Sequence, residues 1–187
     1  MTLVEEQTLL SGTVPPVIQK LARAALAAFV LTFVLSRVVV LLIMTRRMPD
    51  FFLFVGQTHV HHLNYGIFLL VAVGAWTLFA PPTLLPARKR AARLYGVGLG
   101  LTFDEFGMWL HLGGGYWQRA SYDAVVVIAA MLALLAVVPS VKRWNKRHWA
   151  VAGLIALALA IGLRLAGDKL DVWTPLLQQL ESAGPRV

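Results

Sequence analysis

The sequence predicts an all-α polytopic membrane protein of about five transmembrane helices. Three observations lead there. Several apolar runs approach the ~20 residues that a helix needs to cross a ~30 Å hydrocarbon layer. Hydrophobic residues fill 58% of the 187 positions and charged residues only 14%, and the mean hydropathy is +0.70, an apolar excess that a water-soluble domain does not carry. The basic residues stand in short clusters at the ends of the apolar runs, where they meet lipid headgroups. That placement explains the net charge of +8 without nucleic acid as a partner. The connecting loops are too short for a separate soluble domain, so residues 1–187 read as one transmembrane unit.

The first predicted span covers 21–44 and is closed by Thr45, Arg46, Arg47 and Pro49, with Arg37 as its one ionisable interruption. The first residues lack the basic region and short apolar core of a cleaved signal, so this span is expected to remain as an anchor. The second span covers 62–80 and stops at Pro81 and Pro82. The apolar stretch before it, from Phe51 to Gly56, makes the run longer than one crossing needs. It is expected either to extend the helix beyond the lipid or to form an interfacial or re-entrant piece.

The third span covers 92–112. Its Gly96 and Gly100 are spaced for close approach of another helix, and Asp104, Glu105 and His111 follow. Gly113, Gly114 and Gly115 read as a turn into the fourth span, 121–138. The fifth covers 149–166 and includes Arg164. After it, Leu170, Val172, Trp173, Leu176, Leu177 and Leu180 suggest an amphipathic surface helix interrupted near Pro175. Trp109, Tyr116, Trp117 and Tyr122 fit an aromatic belt at one interface, and Trp144 and Trp149 a belt at the other.

Charge sets the expected orientation. One side collects Lys20, Arg23, Arg88, Lys89, Arg90, Arg93, Lys142, Arg143, Lys146 and Arg147, against Arg46, Arg47, Arg119, Lys169 and Arg186 on the other. The positive-inside rule then puts the N-terminus in the cytoplasm and, with five spans, the C-terminus outside, in a membrane expected to be the bacterial inner membrane.

Polar chemistry gathers toward the outer side. His59, His61 and His62 precede the second span, His111 closes the third and Asp123 opens the fourth, so this topology sets them at one level. Imidazole binds zinc, copper and iron, and a carboxylate can complete the set. With no cysteine in the chain, thiolate ligands and cysteine nucleophiles are excluded. His59, His61, His62 and His111 are therefore candidate ligands for a divalent transition metal, zinc ahead of iron or copper, with Asp104, Glu105 and Asp123 as candidate catalytic carboxylates. Each histidine has a plainer reading as an interfacial side chain bonded to backbone and water.

Asp104 lies ~10 Å deeper than His111 if the third span is one continuous helix. Arg37 lies at a matching depth in its own span, so an ion pair between Arg37 and Asp104 or Glu105 is expected. Adjacent acids point ~100° apart on a helix, which leaves Arg164 as a candidate for the second carboxylate.

The stretches HVHHLNYG, His59 to Gly66, and LTFDEFGMWLHL, Leu101 to Leu112, resemble segments of small bacterial integral membrane proteins. The resemblance implies no activity. In ligand chemistry the set is also similar to membrane hydrolases of the alkaline-ceramidase type, which hold zinc with histidines and an aspartate. Those are larger seven-helix proteins with a different motif order, so the likeness is an analogy.

Three functions follow as expectations. The first is a metal-dependent hydrolase or related enzyme acting on a lipid or other amphiphile from the outer leaflet. The second is a proton or metal-ion transporter with Arg37, Asp104 and Glu105 as a gate, which calls for a homo-oligomer because a pore within one five-helix chain is narrow. The third is a non-catalytic scaffold that docks another membrane protein on its glycine-bearing third helix.

Overall fold

The structure is a computed structural model. It describes residues 16–49, 53–55, 58–111, 115–137, 145–146 and 149–150, together with positions 153, 161, 164, 172–180 and 182.

Helix α1, Pro16–Met44, starts on a proline, whose missing N–H is no loss in a first turn. It ends where Arg46 takes a left-handed φ of 54°. The N–H of Arg46 donates to Ile43 O and that of Arg47 to Leu42 O, both at 2.9 Å. This reciprocal pair satisfies the last carbonyls of the helix. A two-stranded antiparallel hairpin follows, β1 (Leu53–Val55) with β2 (Thr58–Val60). Within the stretch expected to extend the helix or to form an interfacial or re-entrant piece, Leu53–Val55 is a strand and so does not extend α2. Phe54, Val55, Thr58 and Val60 favour extended backbone, and Gly56 falls between the paired segments.

Helix α2, His62–Phe79, stops before Pro81 and Pro82, close to the expected 62–80. Helix α3, Leu85–Asp104, has Pro86 in its first turn. Glu105 then leaves helical geometry at φ −100°, ψ 13°, and the short helix α4, Phe106–Leu110, resumes after it. The expected continuous span 92–112 is thus broken at Glu105. Helix α5 is Arg119–Val137. Most of the expected fifth span lies outside the described residues; positions 149, 150, 153, 161 and 164 within it are helical. The segment 172–180 is one helix, with no interruption at Pro175.

Three of these helices are long and apolar enough to cross a membrane: Val17–Met44, His62–Phe79 and Arg119–Ala136. Their exposed faces carry Leu31, Val34, Leu35, Phe68, Val71, Leu78, Val127 and Met131, apolar side chains suited to lipid. These features are consistent with an integral membrane protein.

Inside the bundle, α1 packs on α3 and α5, and α2 packs on α3. Ala25 and Phe29 of α1, Leu99 of α3, and Val125 and Leu132 of α5 form the buried centre. Glycine sets the helix spacing. A Cβ on Gly96 would stand 2.2 Å from Ala25 O, and one on Gly66 would stand 2.7 Å from Thr102 N and 2.8 Å from Gly98 O. At Gly100 it would meet the Thr32 side chain at 2.7 Å. Both glycine faces of α3 are therefore filled from within the chain. The same contacts fix direction: α1 and α3 run parallel, with Ala25 beside Gly96 and Thr32 beside Gly100, while α2 runs antiparallel to α3, with Gly66 beside Thr102.

Candidate functional site

These registers gather five polar side chains, those of Arg37, His61, His62, Asp104 and Glu105, at the end of α3. Continuing the parallel register of α1 and α3 from Thr32 and Gly100 sets Arg37 beside Asp104. Continuing the antiparallel register from Gly66 and Thr102 sets the start of α2 beside Glu105. The break at Glu105 turns both acids inward, and Asp104 is wholly buried while Glu105 is 2% exposed.

Arg37 is the buried cation of the group. Its Nε lies 2.6 Å from Asp104 Oδ1. Neither atom has a hydrogen-bond partner, so this contact is ionic rather than an aligned hydrogen bond. The guanidinium donates from Nη1 to Tyr116 O at 2.6 Å and from Nη2 to Asp104 O. The second of these bonds puts a positive charge on a carbonyl at the C-terminal end of α3, where the helix dipole favours it.

The histidines occupy the other side of the acids. His62 Nε2 is 2.8 Å from Asp104 Oδ2, and His62 Nδ1 is 3.4 Å from Glu105 Oε1. His61 Nδ1 is 3.1 Å from the same Glu105 oxygen. The other oxygen of Glu105 accepts from Leu63 N–H at 3.0 Å. Residue 63 lies in the first turn of α2, whose own N-cap, His61, makes no side-chain capping bond to that turn. Glu105 therefore caps α2 from another helix, giving an orphan N–H an acceptor and the positive end of the dipole an anion.

Proton counting constrains this group. A neutral imidazole has one N–H, and an ionised carboxylate only accepts. Both ring nitrogens of His62 face carboxylate oxygens. Only the Nε2 contact with Asp104 Oδ2, at 2.8 Å, is a hydrogen bond, and Nδ1 stands farther off at 3.4 Å from Glu105 Oε1, so a single ring proton completes the closer contact. Access is graded: the side chains of His61 and His62 are 33% and 24% exposed, against 1% and 0% for Glu105 and Asp104. The reachable edge is imidazole and the buried wall is carboxylate.

The remaining expected members sit elsewhere. His111 is apart from the cluster: its Nδ1 lies 2.9 Å from Gly107 O and 2.7 Å from Gln118 Oε1. Its expected alignment with Asp104 assumed an unbroken helix, and the break at Glu105 removes that alignment. Asp123 forms a solvent-side i,i+4 pair with Arg119 at 3.4 Å. Arg164 is helical and exposed, and the partners expected of it are supplied to Glu105 by His61, His62 and Leu63. The side chain of His59 lies outside the described residues; its backbone pairs with Phe54 in the hairpin. Among the described residues, no group of three or more His, Asp or Glu is arranged to hold a metal ion.

Several participants escaped the sequence reading. Phe33, Trp117 and Tyr122 surround the Arg37 guanidinium, with ring centroids 5.5, 5.4 and 4.9 Å from Cζ. Trp117 and Tyr122 therefore face an internal cation rather than serving only as belt residues. Ser121, 1% exposed, accepts from Gly107 N–H at 2.9 Å and so ties α5 to the short helix after the break. A lone serine near a helix start reads as that helix's own cap, and no local pattern distinguishes the two roles.

Comparison with family models, with curated proteins and with solved structures finds no match for this chain.

Proposed function

We propose that this chain is a membrane-embedded acid–base enzyme, of the hydrolase type, acting on a lipid or another amphiphile at the membrane face where His61 and His62 are exposed. The observation that carries the reading is the His62 ring, set between Asp104 at 2.8 Å and Glu105 at 3.4 Å. A histidine bridging two buried carboxylates, with one edge open, is suited to take a proton from water or substrate and return it. The polar groups stop at this end of the bundle: Lys20, Arg23, Arg88, Lys89, Arg90 and Arg93 belong to the opposite ends of α1 and α3, and helix between the two ends is mostly apolar. A localised centre accounts for that better than a path through the membrane.

The full arrangement proposed is five spans in the bacterial inner membrane, N-terminus cytoplasmic and site outward, as the excess of basic residues at the opposite end supports. A divalent metal, zinc first, is a variant of this reading: His61 and His62 would be its protein ligands, and it would supply an activated water. The test is turnover of long-chain ester, amide and phosphoester substrates by protein in lipid nanodiscs. His62→Gln and Glu105→Gln are expected to lower turnover by about 100-fold or more, while Asp123→Asn keeps it. Full turnover in His62→Gln sinks the reading.

One observation favours a second reading, proton transport. α3 is discontinuous where its acids lie, and broken helices line ion sites in transporters. Proton flux in sealed liposomes, abolished by Asp104→Asn and accompanied by no hydrolysis, selects that reading over the first.

A further inference from the structure

Asp104 and Glu105 are neighbours in sequence but are held by different means. Glu105 faces two imidazoles and a backbone N–H, whereas Asp104 faces a guanidinium on one oxygen and one imidazole on the other. The guanidinium itself has little freedom. Its face is boxed by Phe33, Trp117 and Tyr122 at 5.5, 5.4 and 4.9 Å. Its two terminal nitrogens are bonded to Tyr116 O and Asp104 O. Nε then lies against Oδ1 at 2.6 Å, so the charge of Arg37 holds that oxygen on the α1 side. Only Oδ2 is left for His62. An ionised carboxylate has no proton to donate, and the nitrogen opposite Oδ2 must therefore bear one.

We propose that Arg37 is a positioning residue for His62: acting through Asp104, it keeps the ring proton on Nε2 and turns Nδ1 toward Glu105 and the exposed edge. This rests on the acid–base reading for its consequence, because Nδ1 is then the nitrogen that exchanges protons with water or substrate. A third group that orients a histidine and fixes its tautomer is a general device of acid–base sites. Here the orienting aspartate is itself oriented by a caged arginine from a third helix. Trp117 and Tyr122 enter the same chain of contacts as walls of the cage.

The test is ring-nitrogen NMR of the full chain in lipid nanodiscs, with histidine labelled at both ring nitrogens and the His62 signals identified by their loss in His62→Gln. The expected native signature is a protonated, hydrogen-bonded Nε2. Arg37→Lys keeps the charge but loses the planar fork, so a second tautomer with Nε2 unprotonated is expected to appear. Trp117→Leu and Tyr122→Leu keep Arg37 and loosen its cage, and are expected to shift the same signals in the same direction by less. These two decide the matter should Arg37→Lys fail to fold. An unprotonated Nε2 in the native chain, or unchanged His62 signals in every folded variant, overturns the proposal. The function has its own readout: Arg37-dependent ring signals together with full turnover in His62→Gln keep the positioning role and remove the acid–base enzyme.

Discussion

Arg37 on α1 and Asp104 on α3 form a buried ion pair, Nε to Oδ1 at 2.6 Å, because two parallel helices spaced by glycine bring them to one level. The pair joins packing to chemistry. Its anion also contacts His62 at 2.8 Å, so the contact that lets a charge stay in the bundle is one residue from the exposed edge of the site.

Removing one partner leaves the other charge buried and uncompensated. Arg37→Met is expected to destabilise the fold by about 3–5 kcal/mol. The double variant Arg37→Met, Asp104→Leu, which removes both charges, is expected to recover much of that loss. Urea or thermal unfolding in a fixed detergent checks both, and a double variant no more stable than Arg37→Met contradicts the pairing.

Glycine substitutions separate contact from composition. An added methyl at Gly96 or Gly66 meets backbone atoms at 2.2 and 2.7 Å, and neither neighbouring helix can yield cheaply, whereas Gly74 has nothing within 4 Å. Gly96→Ala and Gly66→Ala are expected to lose about 1–3 kcal/mol or more by forcing helices apart. Gly74→Ala, on an exposed helical face, is expected to be neutral or to gain up to about 1 kcal/mol from helix propensity. Melting temperatures of the three proteins, prepared side by side, check the contrast.

How far the sequence foretold this site depends on which kind of interaction is asked about. The apolar runs, with Pro49 and Pro81 after the first two, located α1, α2 and α5 to within a few residues, because lipid imposes a length and a polarity on each span. The matching depths of Arg37 and Asp104 anticipated their ion pair, since a buried charge needs a partner. The site itself was misjudged in depth. Treating residues 92–112 as one helix put Asp104 below the histidines and His111 level with them, whereas the structure sets His62 2.8 Å from Asp104 and His111 on Gly107 and Gln118. Glu105 carries no proline or glycine to announce the break; it is held by tertiary contacts, its carboxylate on Leu63 N–H and the Gly107 N–H on Ser121. Such contacts join residues 42 and 14 positions apart, beyond the reach of periodicity.

Ser121 tests whether that tertiary tie matters. In Ser121→Ala the buried Gly107 N–H loses the acceptor it has at 2.9 Å, at an expected cost of about 1–3 kcal/mol. Exchange of the Gly107 amide with deuterium should quicken while amides in the middle of α1 keep their protection. Equal protection of Gly107 in both proteins argues against the bond.

Glu105 gives the sharpest separation of a charge from its shape. Glutamine fills the same volume but has one acceptor oxygen, while Glu105 uses both of its oxygens, one toward His61 and His62 and the other toward Leu63 N–H. In Glu105→Gln the amide oxygen can keep Leu63 N–H, but the charge-assisted contacts with the imidazoles are lost, at about 1–3 kcal/mol, and the first turn of α2 loses an anion at the positive end of its dipole. Asp123→Asn breaks only a solvent-side pair with Arg119 and is expected to cost about 1 kcal/mol or less. Unfolding curves of the two variants therefore differ by more than one acid-to-amide change in open solvent explains. Equal losses would mean that the carboxylate at the α3 break does no more than the one on the surface, and the acid–base centre would lose its buried wall.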